Sequence, residues 1–103
     1  MAQFDVFPNP NKASRSRIPY LISLQHDLLD GLAHVVVAPL RHGDNDIPML
    51  RLNPIVNLEG VSYIVQVQDL AAIPRRNLGK AVASLATERD ALLAALDFLF
   101  TGF

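Results

Sequence analysis

The chain has no cysteine, so disulfides, thiolate nucleophiles and zinc-finger ligand sets are excluded, in keeping with a cytosolic protein. No apolar run approaches the ~20 residues that cross a bilayer. The opening MAQFDVF also lacks the basic-then-apolar order of a secretion signal. Lys and Arg number 9 and Asp and Glu 10, a formal charge of −1, which offers no global attraction for nucleic acid or an anionic membrane. Catalytic signatures are missing too. No serine lies in a nucleophile elbow, and no glycine pattern could cradle phosphate. His26, His34 and His42 recur at intervals of eight, which fits no metal-ligand set on a helix or strand. Asp44 and Asp46 sit in a loop flanked by Gly and Pro and read as turn residues. No cofactor is expected, and there is no repeat or low-complexity tract.

What the chain does have is apolar bulk. Half of its 103 residues are apolar, enough for one domain over residues 1–103 with a single modest core. The richest stretch is TERDALLAALDFLFTGF, residues 87–103. Thr87 followed by Asp90 has the form of a capping box, with Glu88 adding a second carboxylate to the first turn. A helix is predicted from Thr87 to Phe100, stopping at Gly102. At about 100° per residue, its polar side is a narrow strip of Asp90, Asp97 and Thr101. Leu92, Ala95, Leu96 and Leu99 centre an apolar face, flanked by Leu93 and Phe100 on one side and Phe98 on the other. That stripe is wider than one sheet requires, so a second copy of the chain and a partner are expected to cover it.

Taken in order, Gln3–Phe7 alternates polar and apolar and predicts a first strand. The Pro- and Asn-rich residues 8–19 predict a long, mobile hairpin loop bearing Lys12, Arg15 and Arg17. That local cluster is either a solvated loop or a docking site for an acidic peptide. Tyr20–Gln25 is a second strand, ending at the corner Asp27–Leu28–Leu29–Asp30 before Gly31. Val35–Ala38 is a continuous apolar run with three β-branched valines and predicts a strand buried on both faces. Short strand pieces are expected at Met49–Leu52 and Ile55–Leu58. Glu59–Gly60 is a tight turn, and Val61–Val67 the clearest strand in the chain. Asp69–Pro74 reads as a turn or single helical turn, with a last strand at Leu78–Val82. The sum is a mainly β domain: a small SH3-like barrel of five to six antiparallel strands with a C-terminal helix.

QFDVF, a basic loop, PYLISLQHDLLD, VVVAPL and a helix closing on FLFTGF together resemble the CcdB toxins, the toxin halves of "control of cell death" toxin–antitoxin modules. The resemblance covers essentially the whole chain. Its most specific pieces are Gln25–x–Asp27–Leu28–Leu29–Asp30, Ala71–Ala72–Ile73–Pro74 and the aromatic–x–Gly–apolar ending. It implies a non-enzymatic homodimer that binds the DNA gyrase A subunit and traps gyrase on cleaved DNA. It further implies neutralisation by the disordered tail of a CcdA-like antitoxin, and contact with operator DNA only as the toxin–antitoxin complex, which represses its own operon. Family gyrase contacts carry over to Thr101, Gly102 and Phe103, to Asp97 and Phe100 on the helix, and to Leu28 and Leu29 at the corner. The best-known members have Trp at the position of Thr101, where two indoles of the dimer sandwich a gyrase arginine. Thr cannot stack in that way. Asp97 stands where an Asn is familiar, and a carboxylate could pair with that arginine. Two alternatives stay open. One is a same-fold messenger-RNA interferase using Arg75, Arg76 and Lys80 as its cations. The other is a relative that binds antitoxin without poisoning gyrase.

Overall fold

The computed structural model describes residues 1–43, 49 and 51–102. Among them are seven strands: β1 Asp5–Pro8, β2 Tyr20–Ser23, β3 His34–His42, β4 Ile55–Leu58, β5 Val61–Val65, β6 Ala71–Pro74 and β7 Ala83–Ser84. One helix follows, α1 Arg89–Thr101. The pairings are antiparallel and run β4-β5-β3-β2-β1-β7, with β6 added to the first half of β3. The result is the small SH3-like barrel with a C-terminal helix.

The strand β3 is the axis of the arrangement. Its first half pairs with β6, Val35 opposite Ile73 and Val37 opposite Ala71, and its end pairs with β5, Leu40 opposite Val65. The strand changes partner at Pro39, whose carbonyl accepts the Gln66 N–H at 2.9 Å. A strand residue's N–H and C=O point to the same neighbour. The N–H that proline lacks therefore falls in the gap between β6 and β5, where no ladder bond is lost. As its β-branched run predicts, β3 is buried on both faces. Ala38 and Leu40 enter the main core, while Val35 and Val37 join Leu21, Ile18 and Ile73 in a smaller cluster on the other side.

The main core closes where Leu92 and Ala95, both 0% exposed, pack among Phe4, Val6, Val65, Val67 and Leu85. Phe4 holds an unusual φ of 68°, a region that costs a bulky residue roughly 1–2 kcal/mol. It is over-determined there: its N–H donates to the Ser23 carbonyl at 2.7 Å and its carbonyl accepts from Leu85 at 2.9 Å.

Several expectations give way. Residues 71–74 form the edge strand β6 rather than a turn, because the first half of β3 leaves a ladder open for them, with Pro74 at the strand's end where its missing donor costs least. No strand forms over Leu78–Val82; the last strand is the two-residue β7, held on β1. Met49 lies outside any strand and Arg51–Leu52 form a turn, fixed by Asn53, whose buried amide donates to the Val65 carbonyl at 3.2 Å and to Gln68 Oε1 at 2.6 Å. Leu50, Asp44 and Asp46 lie outside the described residues. The capping box is not made either. Ser84 Oγ accepts from the Ala86 N–H at 3.2 Å and starts a 3-10 turn over Ala86–Glu88, so α1 begins at Arg89 with no side-chain cap.

Candidate functional site

The acidic-leucine corner forms as a 3-10 turn over Asp27–Leu29. His26 Nδ1 accepts from the Leu28 N–H at 3.1 Å, which orients the turn from its first residue. Asp27 Oδ1 accepts from the Gln3 N–H at 2.6 Å, and Gln25 Oε1 accepts from the Val36 N–H at 3.3 Å. The main brace is Arg75. Its Nη1 reaches Asp30 Oδ1 at 2.9 Å, its Nε donates to the Leu32 carbonyl at 2.8 Å, and its backbone N–H donates to the Ala33 carbonyl at 2.8 Å. The corner is thus built by groups from four separate parts of the chain, yet its leucines point outward. Leu28 is 88% exposed, and Leu29 and Leu32 are about half exposed. Core packing is therefore not their role.

The second candidate region is the tip of α1. Phe100 is 70% exposed, and Asp97, Thr101 and Gly102 are exposed with it. Gly102 takes the left-handed conformation, φ 79°, and its N–H closes on the Phe98 carbonyl at 3.0 Å, which is how glycine ends a helix without strain. The Thr101 hydroxyl donates back to the Asp97 carbonyl at 2.6 Å, so its polar atom is spent within the helix. Arg51 lies over the Phe98 ring, 4.5 Å from its centroid, and anchors the tip to the turn at residues 51–53. Phe103 lies outside the described residues.

These two regions do not meet within one chain. Arg89, at the start of α1, donates to Gln3 Oε1 at 2.9 Å, and Gln3 in turn binds the corner at Asp27. The corner therefore adjoins the first turn of the helix, whereas Phe100 lies about 17 Å farther along the axis at ~1.5 Å per residue.

The third region is the basic loop. Its pivot is the buried Asn9, whose Nδ2 donates to Ser14 Oγ at 2.9 Å and to the Ile18 carbonyl at 2.8 Å, while Oδ1 accepts from the Asn11 N–H at 3.0 Å. A loop expected to be mobile is instead folded around one side chain. Lys12, Arg15 and Arg17 are exposed on it. Arg15 Nε donates to the Asn9 carbonyl at 2.9 Å, and among the described residues none of the three pairs with a carboxylate. Below the loop runs a groove of about 320 Å³ towards β6, with Ile18, Leu21, Val37 and Ile73 in its apolar lining.

No group of His, Asp or Glu among the described residues could hold a metal ion. The two β3 histidines sit at its ends and His26 caps the corner. Arg75, a candidate cation for RNA cleavage, is committed to bracing the corner.

The chain, folded as a barrel of this topology with one terminal helix, matches a family model described as CcdB protein over residues 3–102. The chain belongs to the CcdB family. A search among curated proteins finds no match to it. CcdB proteins are toxins of toxin–antitoxin systems and gyrase poisons, not catalysts in themselves, so antitoxin and gyrase are the partner types that membership brings. No helix among the described residues is long and apolar enough to cross a membrane. Both leucines expected at the tip of the corner lie there. Leu32 was not legible in the sequence, nor was the bracing role of Arg75, because 45 positions separate it from Asp30 and nothing local to PRRN marks a brace. The role of Asn9 was also missed, although an Asn two positions before another in a Pro-rich turn was the available signal.

Proposed function

We propose that this chain is the toxin of a type II toxin–antitoxin module that binds the DNA gyrase A subunit and traps gyrase on cleaved DNA. The observation that carries the reading is the exposed corner. Leu28 is 88% exposed on a turn that five side chains hold in place. Burying a leucine is worth roughly 1.5–3 kcal/mol. A fixed, solvent-facing leucine pair is therefore suited to anchoring a partner, since interface energy concentrates in a few such residues. In the proposal Leu28 and Leu29 form one contact set, and Asp97, Phe100, Thr101, Gly102 and Phe103 form the other. Leu93, Leu96 and Leu99 of α1 pack against the core but are only partly buried in their own chain, which leaves some apolar area for a second copy, and a homodimer is the assembly proposed. The antitoxin's acidic, disordered tail would lie along the apolar groove with its carboxylates on Lys12, Arg15 and Arg17. The complex would repress its own operon.

The test is binding of the gyrase A subunit to the intact chain and to the Leu28→Ser and Phe100→Ser variants. Each should weaken binding by tenfold or more, a loss of about 1.4 kcal/mol. As surface changes, each should shift unfolding by less than about 0.5 kcal/mol. Undiminished binding in both variants would put the contact elsewhere. One observation favours a second reading, an antitoxin-binding relative that does not poison gyrase: the Thr101 hydroxyl is turned back on the helix and offers no ring to an incoming arginine. Antitoxin binding without any gyrase binding by the intact chain would decide for that reading.

A further inference from the structure

The chain has two tyrosines and no tryptophan, and both tyrosines line one small pocket. Tyr20 opens β2 and Tyr63 lies in β5, on opposite sides of β3, where their partners are Leu40 and His42. Their rings meet edge to face, centroids 5.5 Å apart at 88°. His42 also packs against Tyr63, ring centroids 5.2 Å apart. The pocket beside them, about 220 Å³, is walled by Leu58, Val61, Val82 and Ala83 and rimmed by Glu59. Small-molecule sites run to about 300–1,000 Å³, so this one is the size of a single side chain.

Glu59 is placed with unusual care for a surface residue. It occupies the first position of the two-residue β4–β5 turn with φ 51°, and Gly60 follows at φ 84°. Hairpin turns with both angles positive favour Asn, Asp or Gly at that first position; a glutamate there breaks the local preference, as residues at functional sites often do. Among the described residues no cation pairs with its carboxylate, and no basic residue lines the pocket. The Tyr63 hydroxyl feels that carboxylate: burial, then Tyr20 and Glu59, push its pKa up. The pocket therefore gathers a carboxylate and two phenol oxygens that can each accept a hydrogen bond, with no cationic side chain in its lining to match the carboxylate.

We propose that this pocket receives the arginine side chain of a protein partner. The guanidinium is planar, carries five donors in a fixed fork, and stacks on aromatic rings, so it can bind Glu59 and the tyrosine hydroxyls together. Its stem would lie on Val61 and Val82, which are about half exposed. An ammonium group would satisfy the charge but neither the fork nor the stacking. This inference does not depend on the gyrase reading, since it uses none of those residues.

The absence of tryptophan gives a direct readout, because tyrosine emission reports Tyr20 and Tyr63 alone. The intact chain is titrated with the capped peptide Gly-Arg-Gly, and with matched peptides carrying citrulline or lysine. A saturable change with the arginine peptide is expected, at least tenfold weaker for citrulline and clearly weaker for lysine. Glu59→Gln, which keeps the shape of the exposed turn, should weaken the arginine peptide at least tenfold while leaving the unfolding midpoint unchanged. A non-saturable signal, equal binding of citrulline, or an unchanged curve in Glu59→Gln overturns the proposal. Equal binding of the lysine peptide overturns the assignment to a guanidinium.

Discussion

Replacing Arg75 with alanine should loosen the exposed corner before it loosens anything else. The Arg75–Asp30 pair is short, 2.9 Å, but the Asp30 side chain is 50% exposed. Solvent screening then holds its worth to about 1 kcal/mol or less. The Nε–H bond to the Leu32 carbonyl, 2.8 Å, is a charged donor on a neutral acceptor and adds about 1 kcal/mol. The contact to the Leu29 carbonyl at 3.4 Å is too long to add much. The expected loss is about 2 kcal/mol, which lowers a urea midpoint by about 1 M for a domain of this size. The same loss should make local opening of the corner easier. The amides of Leu29, Asp30 and Leu32 bond only within the corner, to His26, Asp27 and Leu29 carbonyls. Their hydrogen exchange should speed up well beyond that of β2 and β5 amides. Gyrase binding should fall with it, although Arg75 itself touches no partner in this account. Unchanged midpoint and unchanged exchange at those three amides would mean that the turn stands without its brace.

Four further outcomes follow from the same structure. Leu92→Ala removes a side chain that is 0% exposed and should cost about 3 kcal/mol in urea unfolding; a loss under about 1 kcal/mol would mean α1 is not part of the core. Replacing Lys12, Arg15 and Arg17 together should weaken antitoxin binding and flatten its salt dependence, and an unchanged salt slope would return the loop to a merely solvated role. The Tyr63 pKa is raised in the folded chain, first by burial, so the unfolded chain gives up that proton first. Its contribution is therefore complete below about pH 10 and is lost as pH rises through the folded value; stability measured from pH 8 to 11 should fall less steeply in Tyr63→Phe than in the parent, and parallel profiles would refute the assignment. Deleting residues 101–103 should cost on the order of 1 kcal/mol, as an end change that removes the Gly102 cap, yet abolish gyrase trapping; a large loss of stability would mean the tip is core.

The parts of the fold legible in the sequence are those whose signal is local. The alternation of Val61, Tyr63 and Val65 located β5, and the β-branched Val35–Val37 run located a strand buried on both faces. The apolar spacing of Leu92, Ala95 and Leu99 located α1. The strand β6 was not legible, since Ala71–Pro74 alone resembles a turn and becomes a strand only because distant β3 offers it an edge. The helix start was misjudged for a related reason: Thr87 and Asp90 have capping chemistry, but Ser84 captures the chain earlier. At the site, two leucines between aspartates are visible in sequence as a corner. That they face solvent is a fact of tertiary packing, set by Arg75 at the end of β6.

As proposed, this chain would convert gyrase into a DNA-cleaving trap. Purified gyrase, supercoiled plasmid and the chain are incubated together, and the DNA is resolved after detergent and protease treatment. Linear DNA should appear in proportion to the chain added and disappear when residues 101–103 are deleted. No linear DNA at any concentration of a folded, antitoxin-binding chain would contradict the account.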